Sequence, residues 1–422
     1  MNTKKIDRVR LLRIPSYYTL SSIMSVVILQ HELGERVLYT IYKGLLWVWR
    51  TVIIGARDYI YENNKSIFLF IYGTYNYRKD HEKTFTDFTD RFDDSDRLRA
   101  CAPEKRVFHG FGLIKYLMLS FVWFFQFVFS GVSIRDTLCA LPYVVMCHYL
   151  NKKLLKLPTN KYKFVVTYCD VSPDENCMIQ FFKNLNITTM TLQHGIFEKK
   201  PNPRSASETG FELYDSISDW YLAWNEYTVN EAVSLGMSRE RVIPLGIPKY
   251  INYTAPEHPT ASNNRIFGVI LHNMASDKHN RQMIDIANQI AEKYDLQFIL
   301  RYHPSLKGNE YNSICGPRYI GNNDIKTSIN QYAESVCFTI VSNSSVFVEL
   351  ILMRHPVYRK IVTSYDTYSK VKPFSFDTLS DFDSIYQDDE GNKEKEKQVF
   401  DLLCNTYDIY ENYRQFFNGK LN

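Results

Sequence analysis

His303 and Pro304 end the apolar run Leu300-Arg301-Tyr302, and Ser344 and Ser345 follow a second run, Thr339-Ile340-Val341. Parallel strands of an α/β sheet end in this way, at a polar or Pro-containing turn, and ligands bind outside their carboxyl ends. The Ser344-Ser345 pair opens a helical stretch over Val346–Met353. Backbone N–H groups and small hydroxyls at such a start form a seat for phosphate. Glu349 lies one helical turn further on, on roughly the same face, where its carboxylate can accept from two ribose hydroxyls. A phosphate seat beside a ribose acceptor suggests a nucleotide.

A second group of candidates precedes this one. His194 ends the run Ile187–Leu192, and Gly195 behind it lets a substrate approach the backbone closely. An imidazole titrating near neutrality suits removal of a proton from an acceptor hydroxyl, which makes His194 the first candidate base. Its plain alternative is a structural histidine at a strand end. Asp170, Asp174 and Glu175 follow the run Phe164–Tyr168 and are alternative bases, or simply acids of a helix start. Lys199, Lys200 and Arg204 follow His194 and suit an acceptor diphosphate, although a solvated loop explains them as well. His272, Asn273, Ser276 and Lys278 follow the run Ile266–Leu271, in reach of donor phosphate. His303 also has a plain reading, as a turn histidine bonded to backbone. Tyr358, Arg359 and Lys360 are read as following a third strand and closing that side. His355-Pro356 begins a strand instead of ending one and reads as structural.

The elements that must position these groups form two α/β halves. Ser66–Tyr72 reads as a first buried strand, and Asn76–Arg99 as an irregular polar excursion. From Lys163 strands and helices alternate, with a helix start at Ser172-Pro173-Asp174-Glu175, and this rhythm means a parallel sheet. Tyr250–Asn264, with Pro256 and Pro259, is the best linker. The expected organisation is a helical segment over 1–62, whose basic, aromatic face suits a membrane surface or packing on the next domain, a Rossmann-like acceptor domain with a helical insertion over 63–250, a second Rossmann-like, donor-nucleotide domain over 262–375, and helices over 376–422. Two sheets of this kind leave a cleft between their strand ends.

The length of 422 residues fits two or three domains, and a net charge of only +4 gives no reason to expect nucleic acid. The eight cysteines are scattered without a CxxC or a zinc-like Cys/His spacing, which favours reduced thiols in a cytosolic protein. No Asp-x-Asp pair stands at a convincing strand end, so neither metal nor cofactor is expected. The N-terminus is basic without a signal-peptide pattern. Tyr116–Ile134 is the most apolar stretch, flanked by Lys115 and Arg135; it admits a bilayer span, a membrane-contacting helix or a buried helix. Lys152, Lys153, Lys156, Lys161 and Lys163 then form a basic cluster that suits lipid phosphates.

Gln193-His194-Gly195, Leu245-Gly246-Ile247-Pro248, His303-Pro304, and Ser344-Ser345 with Glu349 occur in the order seen in GT-B glycosyltransferases of bacterial surface polysaccharides, and the chain resembles them over roughly residues 160–365. The likeness is to capsule and lipopolysaccharide transferases, with CDP-glycerol glycerophosphotransferases and UDP-N-acetylglucosamine 2-epimerases as relatives in the same fold. It implies His303 and Pro304 against the donor's base or phosphate, Ser344 and Ser345 on phosphate, and Glu349 on ribose. It implies a CMP-, CDP- or UDP-linked donor, a lipid-linked or growing glycan as acceptor, and a site at the inner face of the cell membrane, without a metal. CDP-glycerol or CDP-ribitol polyol-phosphate transfer is the alternative. The glycerophosphotransferases carry Trp before the comparable histidine, and Gln193 in that place counts against a glycerophosphate substrate.

Overall fold

A computed structural model of the chain describes residues 13–14, 18–19, 41–42, 45–46, 48, 58–63, 66–73, 79–92, 95–101, 110–129, 131, 133–170, 172–195, 216–254, 264–272, 277–303, 306–324, 326–362, 368, 371–387, 389–404 and 408–421. It forms two compact units. The first comprises Met1–Ala223 and Thr228–Asn252; the second comprises Trp224–Tyr227 and Tyr253–Asn422.

In the first unit a two-residue ladder pairs β1 (Arg13–Ile14) with β2 (Tyr18–Thr19). The main sheet takes β3 (Asp58–Glu62), β4 (Phe68–Tyr72), β5 (Asp96–Cys101), β6 (Phe164–Thr167), β7 (Thr188–Leu192), β8 (Trp220–Ala223) and β9 (Val242–Pro244). Their order is β3-β5-β4-β6-β7-β8-β9, parallel throughout except for β3 against β5. The chain therefore leaves β4 towards one edge and returns to β6 on its other side.

Strand β4 shows why this sheet forms. Phe70 and Tyr72 point to one face and meet Phe88 at 5.6 Å and Phe85 at 5.2 Å, both from α1 (Lys79–Thr89). Leu69 and Ile71 alternate to the other face and join the core under α2 (Gly110–Phe129), α3 (Ile134–Leu154) and α4 (Pro173–Asn184). Both faces are covered, so the run is apolar throughout, as a central parallel strand must be. A further helix, α5 (Glu226–Ser234), follows β8.

Two stretches differ from expectation. Asp58–Glu62, read as helical, is the antiparallel edge strand β3. Its period is two: Tyr59 and Tyr61 pack on the core while Ile60 is 44% exposed. The polar excursion from Asn76 contains α1, whose only large apolar residues, Phe85 and Phe88, are both buried. The apolar stretch from Tyr116 is one side of a helical hairpin, with Trp123 and Phe127 buried in the core. No helix among the described residues is long and apolar enough to cross a membrane.

The second unit carries β10 (Ile266–Ile270), β11 (Gln297–Arg301), β12 (Tyr319–Asn322), β13 (Thr339–Val341), β14 (Val357–Lys360) and β15 (Ser375–Phe376). All pairs are parallel, in the order β12-β11-β10-β13-β14-β15. Its helices are α6 (Asp277–Lys293), α7 (Ile329–Ser335), α8 (Val346–Leu352), α9 (Leu379–Tyr386), α10 (Asp389–Leu403) and α11 (Ile409–Leu421). On α6, Met283, Ile284, Ala287, Ile290 and Ala291 repeat with helical spacing and are buried. β12 and α7 were not anticipated. Tyr358, Arg359 and Lys360, expected after a strand, lie inside β14 and are buried. The Arg359 guanidinium donates to the Tyr368 and Val371 carbonyls and to Ser375 Oγ, and so holds the chain between β14 and β15.

Candidate functional site

In the second unit β10 is flanked by β11 and β13, and strand order reverses between β10 and β13. An open α/β sheet takes its ligand at such a switch point, beyond the carboxyl ends. His272, His303 and Ser344 each follow the carboxyl end of one of these three strands.

Each turn is fixed by a partner distant in sequence or by its own backbone. The His272 amide donates to Asn280 Oδ1 at 2.8 Å, and Asn280 Nδ2 donates back to the His272 carbonyl at 3.1 Å. Asn280 is fully buried on α6 and also donates to the Tyr311 hydroxyl. The His303 carbonyl accepts from the Leu306 amide, which closes a turn that leaves the His303 side chain exposed. Pro304 lies outside the described residues. The Ser344 carbonyl accepts from the Tyr368 hydroxyl at 3.3 Å, and Ser344 Oγ accepts from the Val346 amide at 3.3 Å. Ser344 and Ser345 are both half-buried at the entrance to α8. Glu349, on α8, is 7% exposed. Its charge acts on Arg301, whose pKa burial lowers while Tyr332, Glu349 and Asp324 oppose that shift. Arg301 donates to Asn323 and to the Thr327 carbonyl. Lys278 is exposed in the first turn of α6.

In the first unit His194 leaves β7 beside Cys169, which leaves the neighbouring strand β6. Nε2 of His194 stands 3.8 Å from Cys169 Sγ, and the rings of Tyr168 and His81 lie 6.1 Å and 6.3 Å from the His194 ring. Gln193 Nε2 donates to the Gly195 carbonyl and so shapes the turn that carries the histidine. His194 is half-buried.

The carboxylates nearby are committed elsewhere. Asp170, 2% exposed, accepts from Ser216 Oγ at 2.9 Å and the Ser218 amide at 2.8 Å. Burial pushes its pKa up, against those hydrogen bonds. Asp174, also 2% exposed, accepts from the Tyr59 hydroxyl. Glu175 is fully buried, with one oxygen on the Gly73 amide at 2.8 Å and the other on the Cys169 amide at 2.6 Å. Lys199, Lys200 and Arg204 lie outside the described residues.

Cys169, His81, Asn280 and Tyr368 were not singled out from sequence, and only Cys169, next to Asp170 at a strand end, stood where it could have been. Among the described residues no three His, Cys, Asp or Glu side chains group as metal ligands. A cavity of about 210 Å³ opens in the first unit beside Tyr59, Tyr61, Lys153 and Lys156, and none of the candidate site residues lines it.

No family profile matches the chain, and no curated protein matches it in sequence. Among solved structures, that of S. aureus MnaA with UDP is similar over 84% of this chain and 96% of that one, at 10% identity and a TM-score of 0.51. UDP-GlcNAc 2-epimerase from Neisseria meningitidis, bound to UDP-GlcNAc, is similar over 84% of this chain and 99% of that one, at 11% identity and a TM-score of 0.47. TarM is similar over 66% of this chain and 58% of that one, at 14% identity and a TM-score of 0.43. Identities this low mark a shared fold, two Rossmann-like α/β units of the GT-B type.

Proposed function

We propose that this chain is a metal-independent GT-B glycosyltransferase. It moves a sugar from a CMP-, CDP- or UDP-linked donor to a lipid-linked or growing bacterial surface glycan, at the cytoplasmic face of the membrane. The observation that carries this reading is the set of turns at His272, His303 and Ser344, on three adjacent strands around the switch point of the second unit. The UDP in the S. aureus MnaA structure accords with a nucleotide as the ligand.

In this reading Ser344 and Ser345 hold donor phosphate, with His272 and Lys278 at its side. His303 and Pro304 lie against base or phosphate, and Glu349 takes the ribose hydroxyls. The bond from the sugar's anomeric carbon to phosphate oxygen breaks, and its electron pair leaves with the nucleotide. The start of α8 and the neighbouring amides stabilise that charge. The acceptor oxygen bonds to the anomeric carbon and gives its proton to His194, while Lys199, Lys200 and Arg204 meet an acceptor diphosphate.

Transfer needs one base, and the burial of Asp170, Asp174 and Glu175 leaves His194 the least buried of the four candidates in the first unit, which supports it in that role.

A melting-temperature screen with CMP, CDP and UDP identifies the nucleotide, and donor turnover follows on the purified chain. Loss of turnover in His194→Ala and Ser344→Ala is expected, and undiminished turnover in both discards the assignment. Release of CMP with transfer of a phosphopolyol would select the polyol-phosphate reaction instead.

A further inference from the structure

The outer face of α2 is as apolar as its inner one. Ser120, Trp123 and Phe127 turn inward and are 8%, 6% and 2% exposed. Ile114, Met118, Phe121, Val122, Phe125 and Phe129 turn outward, and their exposure runs from 45% to 84%. At 3.6 residues per turn these six fall within an arc of about 100°. Ile134 and Leu138, at the start of α3, are exposed as well. A water-facing helix surface ordinarily carries charge, and an uninterrupted apolar strip of this length marks an interaction surface.

The exposed charges described around the strip are cationic, and Asp136 in the first turn of α3 is the one acidic residue in the sequence between Lys115 and Lys156. No acidic residue occurs between Gly110 and Ile134. Lys115 is exposed on the shoulder of the arc, Arg135 is exposed where α3 begins, and Lys152 and Lys156 are exposed where it ends. Lys115 and Lys152 each stand close enough to His148 that, after burial, their charges help lower its pKa. Two copies of this hairpin face to face would set cation against cation, whereas anionic lipid phosphates complement it. The inner side of α2 is packed on protein, so the helix suits the plane of the headgroups and not a crossing of the bilayer.

We infer that the α2–α3 hairpin lies flat on an anionic lipid surface, with Phe121, Phe125 and Phe129 among the upper acyl chains and Lys115, Arg135, Lys152 and Lys156 on lipid phosphates. This surface gives the membrane-facing site of the proposed transferase a physical anchor. Its test needs no nucleotide, so its failure is separate from failure of the transferase reading.

The test is flotation of the full chain with vesicles of phosphatidylcholine alone, and of phosphatidylcholine with about one-third phosphatidylglycerol. The unmodified chain floats with the anionic vesicles. Phe121→Ser/Phe125→Ser/Phe129→Ser loses about tenfold or more in partitioning at an unchanged melting temperature, because the three rings lie outside the core. Lys115→Gln/Arg135→Gln/Lys156→Gln loses about tenfold of the preference for anionic over neutral vesicles. Should the triple Phe variant fold poorly, Phe129→Ser alone, at the most exposed position, must still weaken flotation. Failure of the unmodified chain to float, or undiminished flotation of the folded Phe variants, overturns the inference. So does a dimer in sedimentation that the Phe substitutions dissociate without any lipid binding, since the face would then belong to a second copy.

Discussion

The Glu175 carboxylate accepts from the Gly73 amide at 2.8 Å, bridging 102 positions of chain, and its second oxygen holds the Cys169 amide. These amides end β4 and β6, the strands between which strand order reverses in the first unit. The point where an open sheet would take an anionic ligand is filled there by the protein's own side chain. Glu175→Ala leaves two buried N–H groups without their acceptor, at an expected cost of about 2–4 kcal/mol. Glu175→Gln costs nearly as much, because its amide nitrogen would face an N–H donor. Gly73→Ala acts in the same direction, since a Cβ there stands 2.8 Å from Glu175 Cγ. Urea unfolding midpoints measure all three, and midpoints within error of the unmodified chain would remove the structural role.

His194 makes the opposite prediction. It is half-buried, so His194→Ala leaves the unfolding midpoint nearly unchanged. In the proposed role of general base it would be worth about 10²–10⁴ in turnover. The measurement is kcat with saturating donor, and a loss confined to KM would assign His194 to binding alone.

Asp96 predicts an acid limit to stability. It is fully buried and accepts from Lys161, from the Tyr162 and Tyr61 hydroxyls at 2.6 Å each, and from the Ser66 amide at 3.1 Å. Burial opposes ionisation, but these donors outweigh it and hold the pKa down at about 2. A depressed carboxylate pKa contributes stability above its unfolded value, and that stability is lost as pH falls through the folded value. The window therefore runs from about pH 4 down to about 2, for a contribution on the order of 2 kcal/mol. Asp96→Asn should be less stable at neutral pH and flatter in acid. Parallel pH curves for the two proteins would contradict this.

Gly268 in β10 is set by its neighbour. A Cβ there would lie 1.8 Å from the hydroxyl oxygen of Tyr332, which is itself fully buried. Gly268→Ala is expected to cost about 1–3 kcal/mol through overpacking. In a double-mutant cycle Tyr332→Leu should recover part of that loss, because it removes the clashing phenol. Additive effects would show that the clash is relieved in some other way.

Much of this was legible from sequence because it is local. Apolar runs stopped by Gly, His or Pro marked β4, β7, β10 and β11, a run stopped at Cys169-Asp170 marked β6, and Ser172-Pro173 marked the start of α4. What escaped was carried by few residues or by distant ones. β3 is short and ends in charges, so its alternation is hard to tell from a polar helix end. In α1 only Phe85 and Phe88 carry the packing, and the polar residues around them read as a loop. Among the candidate residues, the turns were visible but their supports were not. Asn280 and Tyr368 fix His272 and Ser344 across gaps that no local pattern spans. Glu175 looked like an ordinary first-turn acid until Gly73 stood beside it.

Membership of the second unit skips along the chain: Trp224–Tyr227 belongs to it although Tyr253 begins its main part. Asn225 Nδ2 donates to the Leu403 carbonyl at 2.6 Å, and the rings of Tyr227 and Tyr368 lie 5.7 Å apart. A gene fragment that opens at Tyr253 would thus encode a half missing its first four residues, with the ring that braces Tyr368 behind Ser344 left on the discarded piece. Nature's seam here does not coincide with any single place to cut.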